Sequence, residues 1–199
     1  MRVALADYGV GNLHSISKGL ERAGASVDVV SEPSGLEGAE CLVFPGVGAF
    51  GAATDRLGPA IPAIRRSIAS GVPVLGICLG MQVMFDRSEE SGGEGLGVFR
   101  GDVRRLQAAR VPHMGWNEVS HQGDPLFEGI PSGERFYFAN SYVCRPMEKI
   151  GIADTRYGET FVSAVRKGRA CGVQFHPEKS GAAGLRLLRN FVGIAEGCG

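Results

Sequence analysis

The residues of this chain that could act as nucleophile or base near neutral pH are its five cysteines and four histidines. Cys78 stands apart from the other cysteines. It sits in Val72-Pro73-Val74-Leu75-Gly76-Ile77-Cys78-Leu79-Gly80-Met81-Gln82, with Gly76 and Gly80 at i−2 and i+2. That is the G-x-nucleophile-x-G spacing of an elbow, where a buried strand turns sharply into a helix. Glycines are required because so tight a turn brings backbone segments too close for a Cβ. The turn is expected to leave the thiol exposed at its apex, facing unpaired helix N–H groups that favour the thiolate. A buried structural cysteine is the plainer alternative, but two flanking glycines remove packing volume where a core residue would use it.

A thiolate that attacks a carbonyl needs a base, usually histidine, and a third group to orient it. His14 falls in a helix pattern and His121 in a polar turn, so neither is assigned a role. His113, in Val111-Pro112-His113-Met114-Gly115-Trp116-Asn117, has no carboxylate at a short fixed offset. His176 does. It ends the apolar run Cys171 to Phe175 and is followed by Pro177-Glu178. In extended backbone i and i+2 face the same way, and a following proline holds His176 extended. Glu178 can then accept from one imidazole nitrogen while the other faces Cys78. A third feature is Pro45-Gly46-Val47-Gly48-Ala49-Phe50-Gly51, whose glycines let backbone N–H groups approach an anion. No residue pattern asks for a metal or a cofactor.

These residues need a scaffold, and the hydrophobic pattern describes one. Val3–Ala6, Val27–Val30, Cys41–Phe44 and Val72–Ile77 read as short buried strands. Helical spacing follows at Leu13, Ile16, Leu20 and Ala23, at Ile61, Ile64 and Ile68, and from Leu79 to Phe85. Alternation of strand and helix implies an α/β fold, an open mostly parallel sheet with flanking helices, whose sites form at the carboxyl ends of the strands. The turn Asp7-Tyr8-Gly9-Val10-Gly11-Asn12, the Pro45–Gly51 loop and Cys78 all fall at that edge. The G-x-G of that turn lacks the third glycine of a dinucleotide fingerprint. After Arg87 comes a polar loop, Ser88–Gly95, and then β-like pieces at 98–106, 136–143, 150–153, 161–165 and 170–175. They read as an antiparallel β extension of the parallel half. An amphipathic helix over Ala182–Gly193 closes the chain.

At 199 residues one domain suffices, and 21 basic against 21 acidic residues give no reason to expect nucleic acid or a membrane surface. Arg100, Arg104, Arg105 and Arg110 lack interleaved aromatics and read as a solvated strand face. No apolar run reaches the ~18 residues of a membrane span. Cys41, Cys78, Cys144, Cys171 and Cys198 are scattered, odd in number and without a C-x-x-C pair. That argues against a disulfide framework and a zinc site, and the expectation is a cytoplasmic protein with reduced thiols.

Gly76-Ile77-Cys78-Leu79-Gly80-Met81-Gln82 together with Phe175-His176-Pro177-Glu178 resembles the class I, triad-type glutamine amidotransferases, over essentially the whole chain. Asp7–Asn12, Pro45–Gly48, Pro112–Asn117 and Lys179-Ser180 make it similar to the glutaminase subunits of imidazole glycerol phosphate synthases. The resemblance implies one glutaminase domain over residues 1–199, with Cys78, His176 and Glu178 as the triad. The Val47 and Leu79 N–H groups would form the oxyanion hole, and the glycines beside Val47 would let its peptide turn over when a partner signals. Glutamine would contact Gly48, Gln82, Glu90, Ser141 and Tyr142. The implied partner is a (β/α)₈-barrel cyclase subunit in a heterodimer, near Asn12, Trp116 and Lys179, and the implied pathway is histidine biosynthesis. Asn140 stands where this family commonly has histidine; asparagine can still hydrogen-bond there. The alternatives are a paralogous glutaminase of a surface-sugar pathway, a cysteine peptidase, and a silent regulatory or binding subunit on the same scaffold.

Overall fold

The computed structural model describes residues 1–9 and 11–197. Val10 and Cys198, named above, lie outside the described residues. In chain order the elements are β1 (Arg2–Ala6), α1 (Leu13–Arg22), β2 (Ser26–Val30), β3 (Leu42–Phe44), α2 (Phe50–Leu57), α3 (Ile61–Ala69), β4 (Val74–Ile77) and α4 (Leu79–Val83). There follow β5 (Arg87–Ser88), β6 (Gly101–Arg105), β7 (His113–His121), β8 (Glu134–Asn140), β9 (Tyr142–Pro146), β10 (Gly151–Tyr157), β11 (Glu159–Lys167), β12 (Ala170–Val173) and α5 (Gly181–Glu196).

Nine strands form one sheet in the order β2-β1-β3-β4-β12-β11-β10-β7-β8. From β2 to β12 the pairings are parallel, and from β12 to β8 they are antiparallel. The burial patterns explain the division. β3, β4 and β12 are buried at every position, as parallel strands covered on both faces must be. β7 and β10 alternate buried with open positions, the mark of antiparallel strands with one solvated face. Two apolar layers fill the faces. Val3, Leu5, Val43 and Ile77 pack with Ile16 and Leu20 of α1 and Leu188 and Phe191 of α5. Ala4, Ala6, Leu42 and Phe44 point the other way, to Phe50 and Leu57 of α2, Ile64 of α3 and Met81 of α4. β5, β6 and β9 form a second, smaller sheet, whose β9 packs against β11. Among the described residues, no helix is long and apolar enough to cross a membrane.

The architecture follows the expected α/β plan, with corrections. Residues 113–121 form a nine-residue strand, so His121 ends a strand rather than lying in a turn; apolar Met114 and Trp116 on its exposed face and Gly115 and Asn117 on the other hide the period-2 signal. The piece expected over 136–143 breaks at Ser141 into β8 and β9, which belong to different sheets. The polar loop 88–95 is also less free than its composition suggests. Glu90 accepts from the Phe50 N–H at 2.8 Å and Ser91 Oγ from the Gly51 N–H at 2.8 Å, so two of its side chains cap α2.

Candidate active site

The site assembles at the carboxyl ends of β3, β4 and β12, which are adjacent in the sheet. β4 pairs in register with β12 through Val173 and Ile77, and the Cys78 N–H donates to the Val173 carbonyl at 2.7 Å. This pairing brings residue 78 beside the strand that leads to His176, almost a hundred positions later.

Cys78 has φ +52°, the one positive φ at a non-glycine position among the described residues. A strained conformation of this kind persists only where surrounding structure over-determines it, and such residues cluster at functional sites. Here the surroundings are backbone. A Cβ on Gly76 would meet Met81 N at 2.6 Å, and one on Gly80 would meet the Phe44 carbonyl oxygen at 2.0 Å. The two glycines let β4, α4 and β3 converge. Contrary to expectation the thiol is not exposed at the apex, for Cys78 is 5 % accessible. The Pro45–Gly48 loop covers it: a Cβ on Gly46 would lie 1.8 Å from the Ile77 carbonyl oxygen and 2.8 Å from Cys78 Cβ. The buried Tyr8 hydroxyl pins that loop by donating to the Pro45 carbonyl. Neither the loop's closeness to the elbow nor the Tyr8 anchor could be read from spacing. Val47 remains 39 % exposed and Gly48 has φ +121°.

His176 Nδ1 and Glu178 Oε1 lie 2.9 Å apart, with side chains 1 % and 2 % accessible. The pairing arises differently from the extended i, i+2 geometry expected. β12 ends at Val173, and although His176 is extended (φ −103°, ψ 94°), Pro177–Lys179 forms a 3₁₀ turn that folds Glu178 back onto the imidazole. Ser180 fixes this turn by donating to the His176 carbonyl at 2.6 Å and accepting from the Tyr137 N–H at 3.0 Å. With Nδ1 engaged, Nε2 is left buried without a protein hydrogen-bond partner. Burial lowers the pKa of His176, but the Cys78 sulfur and then the Glu178 carboxylate oppose it and together raise it to about 10. The imidazolium form is therefore favoured.

The other residues singled out by sequence fall into two groups around this centre. Gln82 is buried, and its Nε2 donates to the Tyr142 carbonyl at 3.0 Å and to Gln174 Oε1 at 3.2 Å. Asn140 Nδ2 also donates to the Tyr142 carbonyl, at 3.0 Å. Gly48 lies just before α2, whose first turn is capped by Glu90. Ser141 and Tyr142 are half-buried at the break between β8 and β9. Outside, Trp116 is 56 % exposed and packs edge-on to Tyr137, over whose ring Lys179 Nζ lies at 5.5 Å. Exposed Asn12 caps α1, accepting from the Ser15 N–H at 3.1 Å. His113 is not in the triad. It is stacked between Phe138 and Tyr157 at 4.6 and 4.0 Å, and burial pushes its pKa down to about 4.

An elbow thiol, a buried imidazole–carboxylate pair and a loop able to turn N–H groups inward can carry out acyl transfer at a carbonyl. Comparison with known proteins agrees with this chemistry. Residues 4–194 match the family model "Glutamine amidotransferase class-I". The chain belongs to that family. It is 48 % identical over 196 residues to the imidazole glycerol phosphate synthase subunit HisH of Thermococcus kodakarensis, covering 95 % of this chain and 98 % of that protein. The HisH proteins of Leifsonia xyli subsp. xyli and Halobacterium salinarum are 48 % and 46 % identical, each over 96 % of this chain and 97 % and 92 % of theirs. Among solved structures, a glutamine amidotransferase superposes with a TM-score of 0.75 at 23 % identity, over 98 % of both chains. PurLQS from Thermotoga maritima gives 0.73 at 19 %, over 96 % of this chain and 97 % of that one. These two likenesses concern the fold. Within that family the chain belongs with these HisH proteins.

Proposed function

We propose that residues 1–199 act as one glutaminase domain, in which Cys78, His176 and Glu178 hydrolyse glutamine to glutamate and ammonia. The observation that supports this most directly is the buried 2.9 Å His176–Glu178 pair behind a strained elbow cysteine. Cys78 thiolate attacks the side-chain amide carbon of glutamine, and the carbonyl oxygen becomes an oxyanion. The Leu79 N–H at the start of α4 and the Val47 N–H receive it, each such donor contributing about 3 kcal/mol. The His176 imidazolium protonates the departing nitrogen, so that ammonia leaves and a glutamyl thioester remains. The neutral imidazole then takes a proton from water, which attacks the thioester and frees glutamate and Cys78. Glu178 keeps Nδ1 protonated throughout, which leaves Nε2 for these transfers. Gly48, Gln82, Glu90, Ser141 and Tyr142 hold the substrate.

Ammonia released into water would be protonated and lose its nucleophilicity. The reading therefore includes a (β/α)₈-barrel cyclase subunit, docked over Asn12, Trp116 and Lys179, that receives ammonia inside a cytoplasmic heterodimer. There it is used to form imidazole glycerol phosphate, with the aminoimidazole carboxamide ribotide as by-product. The test is glutamine hydrolysis by the purified complex, with and without the cyclase's nucleotide ligand, for the unaltered chain and Cys78→Ala. Loss of ammonia release in Cys78→Ala is expected, and unchanged release would overturn the assignment.

A further inference from the structure

Gln174 takes no part in the triad, yet its amide touches the nucleophile. It is fully buried in the apolar stretch that leads to His176, and its Nε2 lies 3.5 Å from Cys78 Sγ. The orientation of this amide is forced by its neighbours. The Tyr142 carbonyl can only accept, so Gln82 presents its NH₂ group there, at 3.0 Å. The second hydrogen of that group points to Gln174 at 3.2 Å and requires an acceptor, which fixes Gln174 Oε1 on the Gln82 side. Gln174 Nε2 is thereby turned towards sulfur, and an amide NH₂ has only hydrogens to offer.

Besides facing His176, Cys78 Sγ lies 3.9 Å from the Ala139 carbonyl, which can only accept from S–H. The two contacts therefore act on opposite protonation states. The carbonyl holds the thiol, whereas the Gln174 N–H is best satisfied by a thiolate, since hydrogen bonds to a charged acceptor are stronger than neutral ones. We infer that Gln174 is a further residue of the glutamine-hydrolysing centre, donating its amide N–H to the Cys78 sulfur to orient it and favour the thiolate that attacks. The inference rests on the proposed role of Cys78 as nucleophile. It also gives Gln82 a second task, because Gln82 orients Gln174 from the Tyr142 carbonyl, next to Ser141 in the proposed glutamine-binding segment.

The test uses the complex with its cyclase. Gln174→Glu keeps an acceptor for Gln82 Nε2 and, once ionised, sets a negative charge in place of the donor to sulfur, while Gln174→Met removes donor and acceptor in a side chain of similar length. Readouts are kcat and KM for glutamine, the melting temperature, and the rate of Cys78 alkylation by iodoacetamide across pH, followed by mass spectrometry. Expected are a kcat lower by about 10- to 100-fold, the range for a hydrogen bond to a charged group, and a nearly unchanged KM. Alkylation at neutral pH slows and its pH profile moves to more alkaline values, which loss of packing alone would not produce. If Gln174→Glu does not fold, the same readouts on Gln174→Met decide. A folded variant whose kcat and alkylation profile match those of the unaltered protein overturns the inference. Cys78→Ala, assayed alongside, keeps the two readings apart. If it is inactive while the Gln174 variants behave normally, only the role of Gln174 falls; if it still releases ammonia, the nucleophile assignment falls as well.

Discussion

Gly46→Ala is the most discriminating substitution for the architecture of this site. The added methyl would stand 1.8 Å from the Ile77 carbonyl oxygen, 2.7 Å from the Ile77 carbonyl carbon and 2.8 Å from Cys78 Cβ. Real Cβ atoms essentially never come within 3.0 Å of such neighbours. The two Ile77 atoms are backbone at the end of β4, so neither can swing aside as a flexible side chain would. Either the Pro45–Gly48 loop lifts off the elbow or the elbow deforms, by about 1 Å or more, and a misplacement of that size costs roughly 100-fold in rate. If the loop lifts, the oxyanion donor proposed at Val47 goes with it, and losing such a donor removes about 100- to 1,000-fold of kcat. The expected result is therefore a kcat for glutamine lower by about 100- to 1,000-fold in the cyclase complex, in a protein that still melts cooperatively. Gly58→Ala supplies the contrast. Gly58 has right-handed helical backbone (φ −39°, ψ −53°) and open space around the position of its missing Cβ. That exchange should leave kcat unaltered, and because Pro59 disfavours a Cβ on a helical residue before it, no gain in stability is expected. Ammonia release and thermal unfolding monitored by circular dichroism measure both. A folded Gly46→Ala protein with undiminished kcat would refute the reasoning that the loop is seated on the elbow as part of the catalytic centre.

Two further predictions concern the histidines. Glu178→Gln removes a charge-assisted bond inside the site and should lower kcat by about 10- to 100-fold with little effect on KM. It should also change the pH dependence of folding. His176, lowered by burial but raised more by Cys78 and Glu178, takes a folded value of about 10 against an ordinary 6.5. Its stabilising contribution is thus complete below pH 6.5 and is lost as pH rises through about 10. Urea titrations at several pH values should show this alkaline decline weakened in Glu178→Gln, and an unaltered slope would refute the coupling. His113 behaves in the opposite sense. Burial lowers it from 6.5 to about 4, so the unfolded chain takes up this proton first and stability falls as pH drops through that interval. His113→Phe, which keeps a ring between Phe138 and Tyr157, should reduce the acid sensitivity seen in the same titrations; an undiminished acid limb would count against it.

What the sequence determined by itself was whatever depends on short separations. The elbow follows from Gly76 and Gly80, because the contacts a Cβ would make there are with residues of the same turn and with β3. The pairing of His176 with Glu178 was legible from two positions of spacing and a proline, although the backbone achieves it with a 3₁₀ turn rather than an extended strand. The long buried runs marked the parallel strands, since strands covered on both faces admit few polar residues. β7 escaped notice because its outward residues include the apolar Met114 and Trp116 while its other face carries Gly115 and Asn117, and the alternation was diluted.

Only the tertiary structure decided what lies next to Cys78. The pairing of β4 with β12 joins segments about a hundred residues apart and brings His176 to the thiol. The folding of the Pro45–Gly48 loop onto the elbow buries a thiol that the turn alone would have exposed. Gln174 did leave a trace in the sequence, as a single amide in an otherwise apolar run. Its direction, however, is set by the Tyr142 carbonyl through Gln82, and hydrogen-bond polarity passed between three separate segments has no period for a sequence to display.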